Sequence, residues 1–114
     1  LEHGASLNAT LKRHPCGVNL GKWIEKIFPQ KILKKNQLTD PHIWMDVSLW
    51  KETIDPILEN LIAHDPEGKE FYEERAARLK ERMDFLHQEM KDCLQKVPSN
   101  KRYLVTSHDA FHYF

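Results

Sequence analysis

Two histidines lie at positions in the chain where a side chain can be held firmly and still reach a ligand. His42 follows Pro41 and comes just before a predicted helix start at Asp46. His108 follows residues 103–106, which are rich in aromatic and β-branched types and are predicted to form a strand. A neutral imidazole donates a lone pair to zinc, iron and other first-row metals at about 2.0–2.1 Å. The two histidines are therefore candidate metal ligands, although no short spacing places them together.

A third histidine, His112, stands four residues after His108. A helix through this stretch would put both imidazoles on one face, where they could chelate a metal. The other interpretation of His112 is a surface side chain. Solvated or capping positions are expected for the remaining four histidines: His3, His14, His64 and His87.

The elements that position His42 are predicted to be helical on its C-terminal side. Apolar residues recur at threes and fours from Asp46 to Ile62, and Asp46 is a suitable N-cap. Pro56 lacks an amide hydrogen, so this helix should kink or be interrupted near Asp55. Before His42, the pattern indicates a short helix in residues 1–14. Another short helix or irregular piece should follow, and then a brief strand near residues 31–33.

A long helix is predicted between the two histidine motifs, over residues 66–98. Asp65 is expected to cap it, with Pro66 at its first position. Its apolar face is interrupted only by an arginine and comprises Phe71, Arg75, Leu79, Met83, Leu86, Met90, Leu94 and Val97. Charge pairs four residues apart are expected on its other side, namely Glu74 with Arg78, Lys80 with Asp84 and Asp92 with Lys96.

Composition excludes several classes of protein. Seventeen Lys and Arg balance seventeen Asp and Glu without a basic stretch, so no nucleic-acid partner is expected. Apolar runs are far shorter than the roughly 20 residues that cross a bilayer, so this segment is not expected to span a membrane. Cys16 and Cys93 fit neither a disulfide framework nor a zinc spacing. With four glycines and no GxSxG or phosphate loop, the chain is not predicted to be an enzyme.

Two stretches resemble motifs of the solute-binding proteins that serve zinc, manganese and iron ABC transporters, the cluster A-I or TroA-like family. DPHIWMDVSLW, at residues 40–50, resembles the family's DPHxWxD motif with the helix that follows it. RYLVTSHDAFHYF, at 102–114, resembles its strand-to-loop motif ending in SHDAFxYF. The opening LEHGASL is similar to the family segment that begins a helix after the first ligand loop. The resemblance covers essentially the whole chain.

The resemblance implies a helix-rich α/β fold that is part of a bilobal periplasmic binding protein. Residues 1–65 would be a portion of the N-terminal lobe, and 66–98 the long backbone helix that joins the lobes. Residues 99–114 would be the first strand and loop of the C-terminal lobe. The implied function is capture of a zinc, manganese or iron ion outside the cytoplasm, in the periplasm or on a membrane-anchored protein, and its delivery to an ABC permease.

The same resemblance implies that His42 and His108 are the second and third protein ligands of the transported ion. The first histidine would lie upstream of Leu1 and an acidic fourth ligand beyond Phe114, so the full site is not expected in this chain. Residues 34–39 contain no histidine, unlike the His-rich loop of many zinc-specific relatives. His108 stands where some manganese-specific relatives have Glu, which leaves zinc, manganese and iron open. His112 replaces a commonly small residue.

The sequence also allows two alternatives to metal transport. One is a small helical structural or interaction domain without a metal role, whose long helix packs on a partner. The other is a small metalloenzyme that activates water between His42 and His108, with Asp109 as the base. If the transport interpretation holds, both ends of the chain are interior positions of a longer protein. The isolated chain is then expected to expose apolar surface and to self-associate.

Overall fold

The computed structural model describes residues 17–35 and 38–114, and helices dominate this part of the chain. The α-helices are α1 (Leu20–Ile27), α2 (Val47–Lys51), α3 (Ile54–His64) and α4 (Lys69–Gln95). Single 3₁₀ turns occupy Pro29–Lys31, Ile43–Met45, Pro66–Gly68 and Ser99–Lys101. Strands β1 (Lys34–Lys35) and β2 (Leu38–Thr39) pair antiparallel. The predicted helix-rich class is confirmed, whereas the helix predicted for residues 1–14 lies outside the described residues.

The core gathers around four buried aliphatic side chains from separate parts of the chain: Ile24, Ile32, Ile43 and Leu49. Ile24 lies in α1, whose N-terminus is capped by the Asn19 side chain accepting from the Lys22 amide at 3.0 Å. The half-buried rings around the core belong to Trp23, Phe28, Trp50 and Tyr113. Because Ile43 directly follows His42 and Tyr113 lies near the C-terminus, this core brings the two histidine motifs together.

Asp46 caps α2 as predicted. Its Oδ1 accepts from the amides of Ser48 and Leu49, at 2.8 and 3.3 Å. The predicted interruption before Pro56 is also confirmed, because α2 ends at Lys51 and α3 begins at Ile54. Pro56 lies in the first turn of α3, where its missing donor costs little.

The long helix is confirmed, but its start differs from the prediction. Residues 66–68 form a 3₁₀ turn, and Gly68 occupies the N-cap position of α4. The Asp65 side chain caps neither element, because its Oδ2 accepts the Tyr72 hydroxyl at 2.6 Å. A Cβ on Gly68 would lie 2.6 Å from a Tyr72 ring carbon, so glycine lets this ring close over the turn.

Ion pairs between helices replace one pair predicted within α4. Lys51 reaches Asp84 at 2.6 Å, and the hydrogen bond to Asp84 raises the pKa of Lys51. Lys80 pairs with Asp55 in α3. The predicted Lys80–Asp84 pair is therefore wrong, since both side chains find partners on the helices packed against α4.

The apolar face of α4 is only partly covered. No α4 residue is fully buried in the described structure, although α4 contacts both α2 and α3. The half-exposed apolar side chains on it include Phe71, Leu79, Leu86 and Leu94. None of the described helices is long and apolar enough to cross a membrane.

The strand predicted at residues 103–106 does not form in the described part of the chain. A strand needs a neighbour for its backbone hydrogen bonds, and the described strands β1 and β2 pair only with each other. Val105 is 95% exposed. The division into lobes at residues 65 and 98 stays a prediction, as does self-association through such exposed apolar residues.

Replacing Leu49 tests whether the small core holds the fold together. Leu49 is fully buried, so Leu49→Ala should lower the free energy of unfolding by about 2–5 kcal/mol, measured by urea denaturation. Leu38 is 60% exposed in β2 and provides the matched control, since Leu38→Ala should change stability by less than about 0.5 kcal/mol. Equal effects of the two substitutions would show that this cluster is not the stabilising core.

Candidate metal site

His42 is held between a buried anchor and an aromatic ring. It precedes the 3₁₀ turn Ile43–Met45, and Ile43 lies in the core. The Trp44 ring stands edge-on to the imidazole, with ring centroids 5.3 Å apart. The His42 side chain is 13% exposed. The imidazole therefore has little freedom to turn away from the position that this packing gives it.

Asp40 determines which nitrogen of His42 is available to a ligand. Its Oδ1 accepts the His42 amide at 3.0 Å and lies 2.6 Å from His42 Nδ1. An ionised carboxylate only accepts hydrogen bonds, so the His42 proton belongs on Nδ1 and the Nε2 lone pair is left free. Sequence reasoning missed this role of Asp40, although an acid two residues before a candidate ligand is a signal that could have found it.

His108 meets His42 at the free nitrogen. The two Nε2 atoms are 3.3 Å apart, although 66 positions separate the residues in the chain. The rings stand edge-on, with centroids 5.2 Å apart. The His108 carbonyl accepts from the Thr106 hydroxyl at 2.8 Å and from the Ala110 amide at 3.0 Å, which forms a turn at this residue. The structure thus brings together the two histidines that the sequence singles out.

His112 does not form a helical chelating pair with His108, because residues 108–114 are not helical. Its Nδ1 lies 3.0 Å from Asp40 Oδ2, and its Nε2 lies 3.1 Å from Asp109 Oδ1. Both ring nitrogens of His112 thus face carboxylates. Asp109, which the enzyme alternative would need as a base, is 63% exposed and is directed at His112.

Tyr113 joins the two histidine motifs through its hydroxyl group. The hydroxyl accepts the Leu33 amide at 2.9 Å and donates to the Asp40 carbonyl at 3.3 Å. Burial raises the pKa of Tyr113, so the hydroxyl keeps its proton at neutral pH. Asp40 is therefore fixed through its backbone as well as its side chain.

The Asp40 carboxylate is the most enclosed charge at the site, with 8% of its side chain exposed. Burial pushes the pKa of Asp40 upward, but hydrogen bonds outweigh this effect. They come from the His42 amide and from the rings of His112 and His42, and they hold the pKa below its ordinary value of 3.8. Asp40 is therefore a charged hydrogen-bond acceptor at neutral pH.

The geometry of the histidine pair fits two ligands of one ion. Two nitrogens bound to the same tetrahedral metal at about 2.0–2.1 Å lie about 3.3–3.4 Å from each other. The observed Nε2 separation of His42 and His108 is 3.3 Å. Within residues 17–35 and 38–114, no group of three or more His, Cys, Asp or Glu side chains is arranged to hold a metal. The described residues thus bring two candidate ligands, His42 and His108, to the distance that one ion would require.

Comparison with known proteins connects these motifs to metal uptake. Residues 2–114 match the family described as zinc-uptake complex component A, periplasmic (ZnuA). Metal-binding protein YtgA of Chlamydia pneumoniae is 40% identical over all 114 residues, which make up 35% of that protein. Two further relatives align over 75 residues, which are 66% of this chain and 24% of each relative. They are the manganese ABC transporter substrate-binding lipoprotein PsaA of Streptococcus pneumoniae, at 37% identity, and the zinc-binding protein TroA of Treponema pallidum, at 35%.

The chain therefore spans about a third of the length of the curated relatives that it matches. No solved structure matches it.

The pKa of Asp40 predicts how stability changes in acid. Because the folded pKa is below 3.8, the stabilisation by this carboxylate is complete above about pH 4 and is lost as the pH falls through the folded value. Asp40→Asn should lower the free energy of unfolding by about 1–3 kcal/mol near pH 7, with metal removed by a chelator. The difference from the unsubstituted protein should shrink towards about pH 3.

Urea denaturation between about pH 6 and pH 3 measures this difference. Asp92→Asn, at an exposed aspartate on α4, is the control and should have little effect throughout. A deficit of Asp40→Asn that stays constant with pH would argue against the charged carboxylate.

Proposed function

We propose a metal-binding role for this chain, which belongs to the periplasmic zinc-uptake complex component A family. In this proposal, the chain supplies two ligands of the site at which the binding protein of an ABC transporter captures its metal ion. Its helix-rich fold is that of a fragment of a TroA-like binding protein. His42 and His108 are the proposed ligands, each through Nε2. The transported ion is the cargo of this protein.

One observation supports the ligand assignment above all others: the 3.3 Å separation of the two Nε2 atoms. An ordinary surface histidine has no reason to meet another across 66 residues with its second nitrogen on a carboxylate. Asp40 leaves the His42 Nε2 lone pair directed at His108, as the carboxylate that hydrogen-bonds the second ring nitrogen of a metal-binding histidine does. The two rings are therefore oriented for a shared ion.

We propose that the remaining ligands come from parts of the complete protein outside this chain. The chain aligns with about a third of the length of YtgA of Chlamydia pneumoniae. A captured ion is held by about four ligands, so two histidines alone should bind it weakly. We place the complete protein outside the cytoplasm, in the periplasm or anchored as a lipoprotein. From there it would deliver its ion to an ABC permease.

Zinc, manganese and iron are the proposed cargo ions. Imidazole ligands suit zinc and iron, and affinity for one site generally rises from manganese through iron to the later metals. We expect the intact site to bind zinc more tightly than manganese when both are offered at equal concentration. Physiological selection between them also depends on metal availability and on the ligands outside this chain.

Replacing either proposed ligand tests the assignment. In the complete protein, His42→Ala and His108→Ala should each weaken Zn²⁺ binding by more than about 100-fold, beyond the loss that removal of an outer hydrogen-bond partner causes. Isothermal titration and metal analysis after dialysis measure the effect. His64→Ala is the control, because His64 hydrogen-bonds its own helix through Nδ1 to the Asn60 carbonyl. Stoichiometric zinc that survives both ligand substitutions would rule out this site.

A further inference from the structure

We infer that His112 is a positioning residue of the metal site, which orients His42 by holding the second oxygen of Asp40. This inference rests on the proposed function and adds a residue that touches no metal itself. The His112 Nδ1 lies 3.0 Å from Asp40 Oδ2, while Asp40 Oδ1 lies 2.6 Å from the ring of His42. One carboxylate therefore joins the two imidazoles.

The two oxygens of Asp40 have separate tasks. Oδ1 accepts hydrogen bonds from the amide and from the ring of His42, and Oδ2 lies beside the ring of His112. A carboxylate held at one oxygen can still turn about its own axis and carry its partner ring with it. Bonding at the second oxygen stops that rotation. Because only 8% of the Asp40 side chain is exposed, little water can take over from His112.

The contacts around the site link its residues into a ring of interactions. His42 contacts Asp40, and Asp40 contacts His112. The three intervening residues connect His112 to His108, whose Nε2 lies against Nε2 of His42. The adjoining Tyr113 fixes the backbone of Asp40 separately. A metal bound between His42 and His108 would thus find both rings already positioned, which reduces the conformational entropy lost on binding.

Direct ligation by His112 is disfavoured by the position of its other nitrogen. Nε2 lies 3.1 Å from Asp109 Oδ1, so neither ring nitrogen is directed at the space between His42 and His108. Asp109 is 63% exposed, and a contact to so exposed a carboxylate contributes little to stability. The contact from Nδ1 to Asp40 is the one that reaches the site.

Two amide substitutions separate the functions of the two nitrogens of His112. Asparagine carries its NH₂ on Cγ, where histidine carries Nδ1, so His112→Asn can keep the donor to Asp40. Glutamine carries its NH₂ one bond farther out, near Nε2, so His112→Gln can keep only the contact with Asp109. His112→Ala removes both. All three variants leave His42 and His108 unchanged.

The experiment measures Zn²⁺ affinity and the visible spectrum of bound Co²⁺ in the complete protein. His112→Asn should stay within about 3-fold of the unsubstituted protein, whereas His112→Gln and His112→Ala should lose about 10–100-fold in affinity and shift the Co²⁺ bands. In an Asp40→Ala background, His112→Ala should cause almost no further loss, since the two residues act as a unit. The spectrum reports ligand geometry, which a merely stabilising contact would leave unchanged.

Each contrary result is informative. Unchanged affinity and spectrum in the Gln and Ala variants would overturn the inference, as would a parallel loss of metal-free stability with an unshifted Co²⁺ spectrum. An Asn variant as weak as the Ala variant would show that a donor at the Nδ1 position does not maintain the site, which also overturns the inference. Failure of the proposed function is distinguished by His42→Ala and His108→Ala, which would then leave metal binding intact.

Discussion

The buried carboxylate of Asp40 is the constraint on which the rest of the site depends. A charge with so little exposure needs its hydrogen-bond acceptors satisfied, and the His42 amide, the His42 ring and the His112 ring all face it. These contacts come from two segments more than 60 positions apart in the chain. Satisfying one buried charge therefore also determines how the two histidine motifs approach each other.

The hydrophobic core supports the segment that carries His42 more than the segment that carries His108. Ile43 and Leu49 lie on either side of the Asp46 cap, so the core fixes the chain that follows His42. The segment that carries His108 is attached more sparsely, by the buried Ala110 and by the Tyr113 hydroxyl. Helices α3 and α4 pack on each other, with an ion pair between Asp55 and Lys80, and Lys51 of α2 pairs with Asp84 of α4. His108 is therefore the candidate ligand with fewer packing contacts, and on the proposed function the contact of His112 matters most on that side.

Local pattern predicted the features that local forces determine. The helices, the Asp46 cap and the interruption before Pro56 follow from spacing and backbone chemistry within a few residues. The strand predicted at residues 103–106 failed because it has no neighbouring strand among the described residues, and two other predictions failed because a different partner competed. Asp65 accepts the Tyr72 hydroxyl instead of capping a helix, and Lys80 pairs with α3. The candidate ligands came from their positions at element junctions and from motif resemblance. The contact of Asp40 with His112 spans 72 positions, and no periodicity in the sequence encodes it.

The separation of the two Nε2 atoms has a consequence for capture itself. At 3.3 Å, two imidazoles can share one proton in an N–H···N contact, and the same distance suits two ligands of one tetrahedral ion. Because Asp40 keeps the His42 proton on Nδ1, the proton between the rings belongs to His108. On the proposed function, the ion would take the place of that proton, and His108 would carry its N–H on Nδ1 instead, so that both Nε2 lone pairs face the ion. Metal capture at this pair then requires both imidazoles to be neutral, and acid favours release of the metal because protonation removes the lone pair that binds it.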